Sequence, residues 1–540
     1  MSDAEAHEKV RTADSSTDGG ETDREYLSEP HSKDDGQASD SMDEEFAIDL
    51  DGEISGPGQQ GHTVRTALDD LHEGDDSHFE KSVRGKHPLP HGITNGMLYN
   101  DIIKIAWPAL VELLLVQLTS MVDMMMVGNI GPLAISAVGY TNQPKFLLST
   151  MFMSLNVGNT ALVARARGAG DQERARLIHK QALMANFTLG LICSIIGFVW
   201  AEPLVRFVGA SNPKVIADAT TYLRIQMVGF LSIAITTTIT SGQRAIGNSR
   251  FPMMYNTAAN LINVVFNYLL IEGHYGFPRW EVAGASIATV MGQVAAMLMA
   301  FSVIFGKNAY LRVNFLKGVK PHVETLRNIF RIGIPSMLEQ MMMRAGMIMY
   351  TRTVASLGDM LMATHQICMN IQSLTMMNGQ AFATSATSLV GQSLGKKRGD
   401  MAAFYANRTQ RVGMVVAMVL GGSVFAFAHV LISMYVNDPF VIANGTTVLR
   451  MVAIIQPLQV AQFVMAGVLR GAGDTRYTAM VTFVTVLVVR PAFAMYAIYV
   501  LKMGLPGAWF ALILDQLLRT FLVLLRYNSG KWRDVARTFD

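Results

Sequence analysis

Long apolar stretches recur along the chain from Ile102 onward, and few charged residues interrupt them. Stretches of eighteen residues or more include Leu183–Trp200, Met253–Ile271, Ala283–Phe305 and Thr478–Val500. A helix needs about 20 predominantly apolar residues to cross the hydrocarbon core of a bilayer. Because a buried core of a soluble protein does not require such lengths, the pattern predicts an all-α polytopic membrane protein.

About twelve membrane-spanning helices are predicted. Their approximate limits are 102–127, 133–162, 182–200, 222–246, 252–271, 283–305, 329–354, 361–390, 412–436, 448–468, 478–500 and 507–525. The loops after the even-numbered spans are richer in Lys and Arg than the other loops. Because basic loops remain in the cytoplasm, we expect both termini to be cytoplasmic in a multi-pass protein of the cell (inner) membrane.

Two similar loops indicate an internal duplication. The loop Arg244–Arg250 after span four and the loop Arg470–Arg476 after span ten both have Gly at the fourth position, and they lie 226 positions apart. Pro108 and Pro335, each followed four residues later by Glu, lie 227 positions apart. The sequence therefore consists of two copies of one six-span unit.

Six spans in each copy make the repeat parallel, with a pseudo-two-fold axis along the membrane normal, so we expect substrate to bind between two lobes. The predicted organisation is a disordered acidic cytoplasmic tail (1–92), an amino-terminal six-helix lobe (93–306), a cytoplasmic inter-lobe linker (307–320), a carboxy-terminal six-helix lobe (321–528) and a short basic cytoplasmic tail (529–540).

Charge and cysteine content narrow the function classes. The net charge of +2 averages an acidic first ninety residues and a basic remainder, so it does not indicate nucleic-acid binding. The acidic tail contains histidines, but their spacing fits no metal-ligand pattern. Cys193 and Cys368 are the two cysteines of the chain, which excludes a disulfide framework and a Cys-rich metal site. The spans contain no phosphate-binding loop and no catalytic motif, so we expect neither an ATP-driven pump nor an enzyme.

Span one carries two carboxylates within its apolar sequence. Glu112 and Asp123 are eleven positions apart, which brings them within about 20° of each other around a helix, and Thr119 lies on the same face. Charged groups inside a membrane are costly unless they face a cavity or a partner. A carboxyl group in such a site can bind a proton and, once ionised, attract a cation, which is the chemistry of an ion-coupled antiporter.

Short motifs in order along residues 95–530 resemble those of the multidrug and toxic compound extrusion (MATE) family. They are Pro108, Val122-Asp123 and Val127-Gly128 in span one, Gly168-Ala169-Gly170-Asp171 after span two, the two repeated loops, Gly284-Ala285-Ser286-Ile287-Ala288-Thr289 in span six, and Ala363-Thr364-His365-Gln366 in span eight. This family consists of antiporters that expel drugs, often cationic, in exchange for Na⁺ or H⁺. The resemblance implies a monomeric secondary active exporter of small organic compounds in the lipid bilayer, with no cofactor besides the coupling ion.

The resemblance also implies where the coupling ion binds. In the family an Asp at the position of Asp123 belongs to the ion site, and some branches add an Asn and an Asp four residues apart on span five. Here these two positions are Asn263 and Asn267, so the second carboxylate that would help to hold Na⁺ is missing. Thr289 matches a Thr of the family on span six. These four residues are the predicted ion-coupling site, with H⁺ and Na⁺ both left open and no other metal expected.

A second group of residues is predicted to line the substrate cavity: Glu112, Glu339, Thr119, Gln117 and His365. The two glutamates occupy equivalent positions of the repeat and would face each other across the pseudo-two-fold axis. Alternatively, each pairs with a neighbouring arginine, such as Arg344, or bonds to backbone groups freed by its proline. His365 is either a packed residue or a proton relay.

Asp515 and Arg519, four residues apart on span twelve, are predicted to form an intrahelical pair.

Two other functions remain as alternatives, a flippase for lipid-linked precursors and a membrane scaffold that transports nothing. A flippase for pyrophosphate-linked lipids should have a strongly cationic cavity, whereas Glu112 and Glu339 are acidic, and a scaffold has no need of buried carboxylates.

Overall fold

The computed structural model describes residues 65–69, 71, 89–306, 309–313 and 320–539, which form helices joined by short turns. In this part of the chain twelve long helices correspond to the predicted spans: α1 (Asn95–Gly128), α2 (Pro132–Gly168), α3 (Gln172–Val199), α4 (Pro213–Ala245), α5 (Arg250–Ile271), α6 (Glu281–Phe305), α7 (Val323–Ala355), α8 (Asp359–Gly395), α9 (Gly399–Ser433), α10 (Pro439–Gly471), α11 (Thr475–Val500) and α12 (Gly504–Asn528). Nine of them, all except α5, α7 and α8, are long and apolar enough to cross a membrane. The prediction of an all-α, multi-pass membrane protein is confirmed.

Most helices extend beyond the predicted spans, because capped polar turns lengthen them past the apolar part. α3 begins at Gln172, ten residues before the predicted start, and the side chain of Asp171 accepts a hydrogen bond from the backbone N–H of Arg174. α10 likewise begins at Pro439, directly after the capping side chain of Asp438. Such caps stabilise a helix start without any apolar signal, so apolar length alone could not locate these ends.

Helices α1–α6 form the amino-terminal lobe and α7–α12 the carboxy-terminal lobe, and the lobes meet along two related helix pairs. α2 packs against α7, and α8 packs against α1. A Cβ on Gly158 would lie 2.6 Å from the carbonyl oxygen of Ile329. At the equivalent position of the repeat, the hydroxyl of Ser385 donates to the carbonyl oxygen of Ile102 at 3.3 Å. The seam between the lobes therefore follows the pseudo-two-fold expected from the duplication.

The loops after the even-numbered helices define one end of the bundle, which we call the basic face. Here α2 and α8 cross so closely that only glycine fits. A Cβ on Gly168 would lie 1.9 Å from the carbonyl oxygen of Gln392, and a Cβ on Gly395 would lie 2.0 Å from that of Arg165. The contacts are reciprocal, because each glycine meets the residue three positions before the other glycine. The two lobes are thus closed against each other at the basic face.

The carboxy-terminal segment packs against this closed face. A short helix, α13 (Trp532–Arg537), follows α12, and the side chain of Trp532 is fully buried. Arg165 of α2 donates hydrogen bonds to the carbonyl oxygens of Ala536, at 2.6 Å, and of Ala472, at 2.9 Å. One arginine of the amino-terminal lobe therefore contacts both the carboxy-terminal segment and the loop after α10.

Residues 65–69 also contact the bundle, although they belong to the segment predicted as a disordered tail. Ala67 and Leu68 are buried, and the backbone N–H of Ala67 donates to Asp101 of α1 at 2.8 Å. Asp69 forms a 3.0 Å ion pair with Arg167 of α2. Disorder is the wrong prediction for these five residues, because they bury apolar side chains and pair a charge. Residues 1–64, 70 and 72–88 of the predicted tail, and 307–308 and 314–319 of the predicted linker, lie outside the described residues.

α11 differs from the other long helices in its backbone. Two of its segments, Phe483–Val489 and Tyr496–Val500, are π-helical, and Arg490–Met495 between them is α-helical. A π-helical turn accommodates one extra residue within a helix and is frequent at functional sites. The irregular part of α11 leads directly into Arg490.

Candidate functional site

A cavity of about 810 Å³ lies between the two lobes, and nine of the long helices contribute to its wall. This volume is in the range of binding sites for drug-sized molecules. Polar and charged residues of the wall include Glu112, Thr119, Asp123, Arg244, Asn256, Asn263, Thr289, Glu339, Arg470 and Arg519. Apolar residues of the wall include Val116, Met153, Met343, Met376 and Phe463. The mixture suits an amphipathic ligand better than a purely polar or purely apolar one.

The polar face predicted for α1 points into this cavity. Glu112, Thr119 and Asp123 all line it. Gln117, also predicted to line the cavity, is half-buried but lies outside the wall. Its position, two residues before Thr119, directs it to another face of the helix, which corrects that prediction.

His365 is likewise outside the cavity wall, contrary to the prediction. Its side chain is 1% exposed and packs edge-on between Tyr350 and Trp509, with ring centres 5.6 and 5.3 Å away. Because the ring is enclosed by aromatic neighbours within the carboxy-terminal lobe, it is a packed core residue. The structure favours packing over a proton relay for this histidine.

Each of the two paired glutamates forms an ion pair with an arginine of a repeated loop. Glu112 lies 2.7 Å from Arg244 and also accepts a hydrogen bond of 2.7 Å from the amide of Asn256. Glu339 lies 2.6 Å from Arg470 and accepts a hydrogen bond of 2.9 Å from the hydroxyl of Thr478. Both glutamates therefore line the cavity as predicted, but as neutralised pairs.

The predicted pairing of a glutamate with Arg344 is wrong. The guanidinium of Arg344 instead lies over the ring of Phe146, 3.4 Å from the ring centre. The sequence did contain the signal for the true pairing: Glu and Arg recur together, at nearly the same offset, in both copies. A Glu and an Arg that recur together in both copies predict an ion pair better than the proximity of an arginine on the same helix does.

The four predicted ion-coupling residues lie together in the amino-terminal lobe. The amide nitrogen of Asn267 donates to Asp123 at 2.5 Å. With its amide nitrogen turned toward the carboxylate, Asn263 donates to Asp123 at 2.8 Å and places its oxygen 3.2 Å from the hydroxyl of Thr289. Asp123 is thus held by neutral N–H donors. In this orientation the amide oxygen of Asn263 is directed at Thr289, and the amide oxygen of Asn267 is buried without a hydrogen-bond partner among the described residues.

A lysine that the sequence analysis missed lies within electrostatic range of this carboxylate. Lys145 of α2 interacts electrostatically with Asp123, and its ammonium lies 5.4 Å from the ring centre of Tyr222. The position falls inside predicted span two. The rule that intramembrane charges are functional candidates was applied to carboxylates only, and its application to lysines would have found this residue.

The carboxy-terminal lobe contains a buried charge cluster near the cavity. Asp515 is fully buried and pairs with Arg519 of the same helix at 2.6 Å, which confirms the predicted intrahelical pair. It also pairs with Arg490 of α11, which the sequence did not predict. Arg519 lines the cavity and Arg490 does not.

Two segments of the chain match one family model. The model MatE covers residues 108–269 and 335–496, so its two matches begin 227 positions apart, as the repeat requires. The probable multidrug resistance protein NorM of Thermotoga maritima is 27% identical over 438 residues, which is 81% of this chain and 93% of that protein. The multidrug resistance protein PmpM of Pseudomonas aeruginosa is 26% identical over 402 residues, 73% of this chain and 83% of that protein.

Solved structures with a similar fold are transporters. A MOP superfamily transporter from Pyrococcus furiosus, described as having a binding pocket of reverse polarity, gives a TM-score of 0.76 at 20% identity and covers 86% of this chain and 99% of that one. A multidrug resistance transporter in an outward-facing conformation gives the same TM-score at 20% identity, with 82% and 97% covered. These likenesses confirm the fold with two lobes.

Proposed function

This chain belongs to the multidrug and toxic compound extrusion (MATE) family, and from this premise we propose that it is a secondary active exporter of small amphipathic or cationic organic compounds. The observation that carries the proposal is the cavity between the lobes, which has a mixed polar and apolar lining and the carboxylate of Asp123 in its wall. The relatives named as multidrug resistance proteins support drug export. The chemistry of the cavity requires no catalysed reaction.

The proposal includes an orientation and a state. The positive-inside rule assigns the basic face to the cytoplasm of the cell (inner) membrane, and with it both termini. Because α2 and α8 are in backbone contact at that face, the conformation described here is closed toward the cytoplasm. A substrate would then leave the cavity on the opposite side, and rocking of the lobes about the seam would reopen the basic face.

We assign coupling to H⁺ rather than Na⁺, with Asp123 as the residue that binds it. Two amide nitrogens donate to this carboxylate, and Lys145 supplies a positive charge within the protein. A Na⁺ ion would require both amides to turn their oxygens toward the carboxylate and would compete with the ammonium, whereas a proton requires no amide oxygen. Protonation removes the charge that attracts a cationic substrate, which links proton uptake to substrate release.

The acidity of Glu112 and Glu339 is no longer an argument against a flippase, because an arginine neutralises each of them. Export is favoured over a lipid flippase by the family and by the relatives that are named as multidrug resistance proteins. A scaffold that transports nothing does not need charged residues in the wall of an internal cavity.

The test is transport by the purified full-length protein in proteoliposomes, with the lipophilic cation rhodamine 123 as the probe. A pH gradient and a Na⁺ gradient are imposed separately. We expect the pH gradient to drive efflux, Asp123→Asn to abolish it, and the matched control Asp218→Asn, on α4 outside the cavity, to retain it. Efflux driven by Na⁺ alone would refute proton coupling, and failure of both gradients would refute export of this probe.

A further inference from the structure

The carboxy-terminal wall of the cavity presents a guanidinium that the protein satisfies only in part. Arg519 is 4% exposed and lines the cavity. One of its terminal nitrogens binds Asp515 at 2.6 Å, and the other lies 3.7 Å from the sulfur of Met343, a weak acceptor. Its Nε is buried and has no hydrogen-bond partner among the described residues, as is also true of the Nε of Arg244 and Arg470, so the charge of Arg519 is what sets it apart. A buried donor of this kind is costly unless a ligand completes its hydrogen bonds.

The charge around this guanidinium is also incomplete. Asp515 is shared between Arg519 and Arg490, so the cluster of three residues carries a net charge of +1. The two other arginines that line the cavity, Arg244 and Arg470, each have a glutamate of their own. Within the part of the chain that the structure describes, the cavity wall thus has a positive charge in excess on the carboxy-terminal side.

The surroundings of Arg519 suit the anionic end of an organic molecule. Met343 and Gln340, one turn apart on α7, line the same cavity, and Phe463 of α10 adds an aromatic ring to its wall. Arginine binds carboxylates and sulfonates through paired N–H donors, and the neighbouring methionine and phenylalanine can contact an apolar body. An inorganic anion would leave these apolar groups unused.

We propose that Arg519 forms an anion-binding subsite, and that it takes the carboxylate or sulfonate of an amphipathic substrate. The cavity then recognises molecules with a cationic group and an anionic group, with Asp123 on one lobe and Arg519 on the other. This inference rests on the proposed function as an exporter, because it concerns the substrates of the same cavity.

Two fluorescent dyes that differ by one methyl group test the subsite. Rhodamine 110 has a free carboxylate, and rhodamine 123 is its methyl ester with the same ring system. Binding to the full-length protein in lipid nanodiscs is measured by fluorescence anisotropy without any ion gradient. We expect Arg519→Met to weaken binding of rhodamine 110 by about tenfold, because the dye loses a charge-assisted hydrogen bond. Binding of rhodamine 123, which lacks the free carboxylate, should change by less than about twofold.

Arg450→Met is the matched control. It removes an arginine from α10 of the same lobe, but Arg450 lies over the ring of Phe425 and is outside the cavity wall. We expect it to change the affinity for either dye by less than about twofold, and Arg519→Lys, which keeps the charge, to weaken rhodamine 110 by no more than about threefold. Equal weakening of both dyes by Arg519→Met, or a selective loss in Arg450→Met as large as in Arg519→Met, overturns the proposal.

If Arg519→Met does not yield folded protein, wild-type protein decides the question by competition. Benzoate should displace rhodamine 110 at lower concentration than it displaces rhodamine 123, and equal displacement of the two dyes contradicts the subsite. Because binding is measured at equilibrium, a failure of gradient-driven efflux would refute the proposed function while leaving this result standing.

Discussion

Equivalent positions in the two lobes carry different chemistry. In the amino-terminal lobe Asp123 is held by the amides of Asn263 and Asn267. The matched segments, 227 positions apart, put Tyr350 at the position of Asp123 and Arg490 at that of Asn263. One lobe therefore places a carboxylate among neutral amides, and the other places a guanidinium 5.9 Å from the centre of an aromatic ring.

The last helix of each lobe continues this contrast. Gly284–Gln293 of α6 resembles Gly507–Gln516 of α12, at an offset of 223 because the preceding loop is shorter in the second copy. In this alignment Asp515 stands where the first copy has Gly292. The carboxylate of Asp515 is thus held by two arginines of the protein itself. Asp123 has no arginine partner among the described residues, so the proposed ion coupling would belong to the first lobe alone.

The π-helical part of α11 accounts for one element of the difference. The repeat offset is 226 at Arg250 and Arg476, where α5 and α11 begin, but 227 where the two family matches end. The offset thus rises by one residue over the interval that contains the π-helical segment Phe483–Val489. A π-helical turn accommodates one extra residue. The segment directly precedes Arg490, which stands at the position of Asn263 in the proposed ion site.

The largest expected difference between the lobes is in stability. Asp515→Asn leaves two buried guanidiniums beside each other, and breaking a buried ion pair costs about 3–5 kcal/mol. Asp123→Asn removes a charge that neutral amides hold, so we expect a loss of about 1 kcal/mol. Thermal unfolding of both purified variants measures the difference. Similar destabilisation by the two substitutions would mean that the lobes hold their carboxylates in the same way.

A smaller effect, and one that should be equal in the two copies, is expected at the reciprocal crossing of α2 and α8. Gly168→Ala and Gly395→Ala each place a Cβ against a backbone carbonyl, and overpacking of this kind costs about 1–3 kcal/mol. Both variants should open the basic face, which distance measurements between spin labels on the loops after α2 and α8 would detect. Gly422→Ala, on α9 with nothing within 4 Å of the added Cβ, is the control. A response of only one of the two variants would break the pseudo-symmetry.

The smallest effect is expected at Lys145, whose equivalent in the second copy is Gln372. Lys145→Gln removes the internal cation that competes for Asp123, so rhodamine 123 should bind about threefold more tightly, an effect of under about 1 kcal/mol for charges in a polar environment. Lys145→Arg keeps the charge and should leave the affinity unchanged. Weaker binding in the Gln variant would show that the lysine supports the site instead of competing for it.

The sequence predicted the elements of this molecule better than their contacts. Apolar length and the repeated loops predicted twelve helices in two lobes, and helical periodicity predicted that Glu112, Thr119 and Asp123 share one face. These features are local, because they depend on spacing along one helix. The arginine partner of each glutamate and the role of Lys145 depend on how separate helices approach each other. Neither the period of a helix nor a charge within it determines that approach.

His365 shows that a sequence motif has the same limit. It belongs to a family motif of span eight and was predicted to line the cavity, but its ring is enclosed by aromatic side chains from α7 and α12. A motif identifies which residues accompany a function. It does not tell which of them touch the ligand and which pack the helices that do.

The reciprocal contacts of Gly168 and Gly395 also bear on how such a chain arose. A crossing in which each unit's glycine meets the other unit's carbonyl is the contact that a protein makes with an identical copy of itself across a two-fold axis. A gene for a single six-helix unit could therefore have encoded a working homodimer with this same seam before its two copies were fused. Fusion then freed each copy to mutate alone, and from that point one half could acquire arginines that a symmetric dimer would have been forced to carry twice.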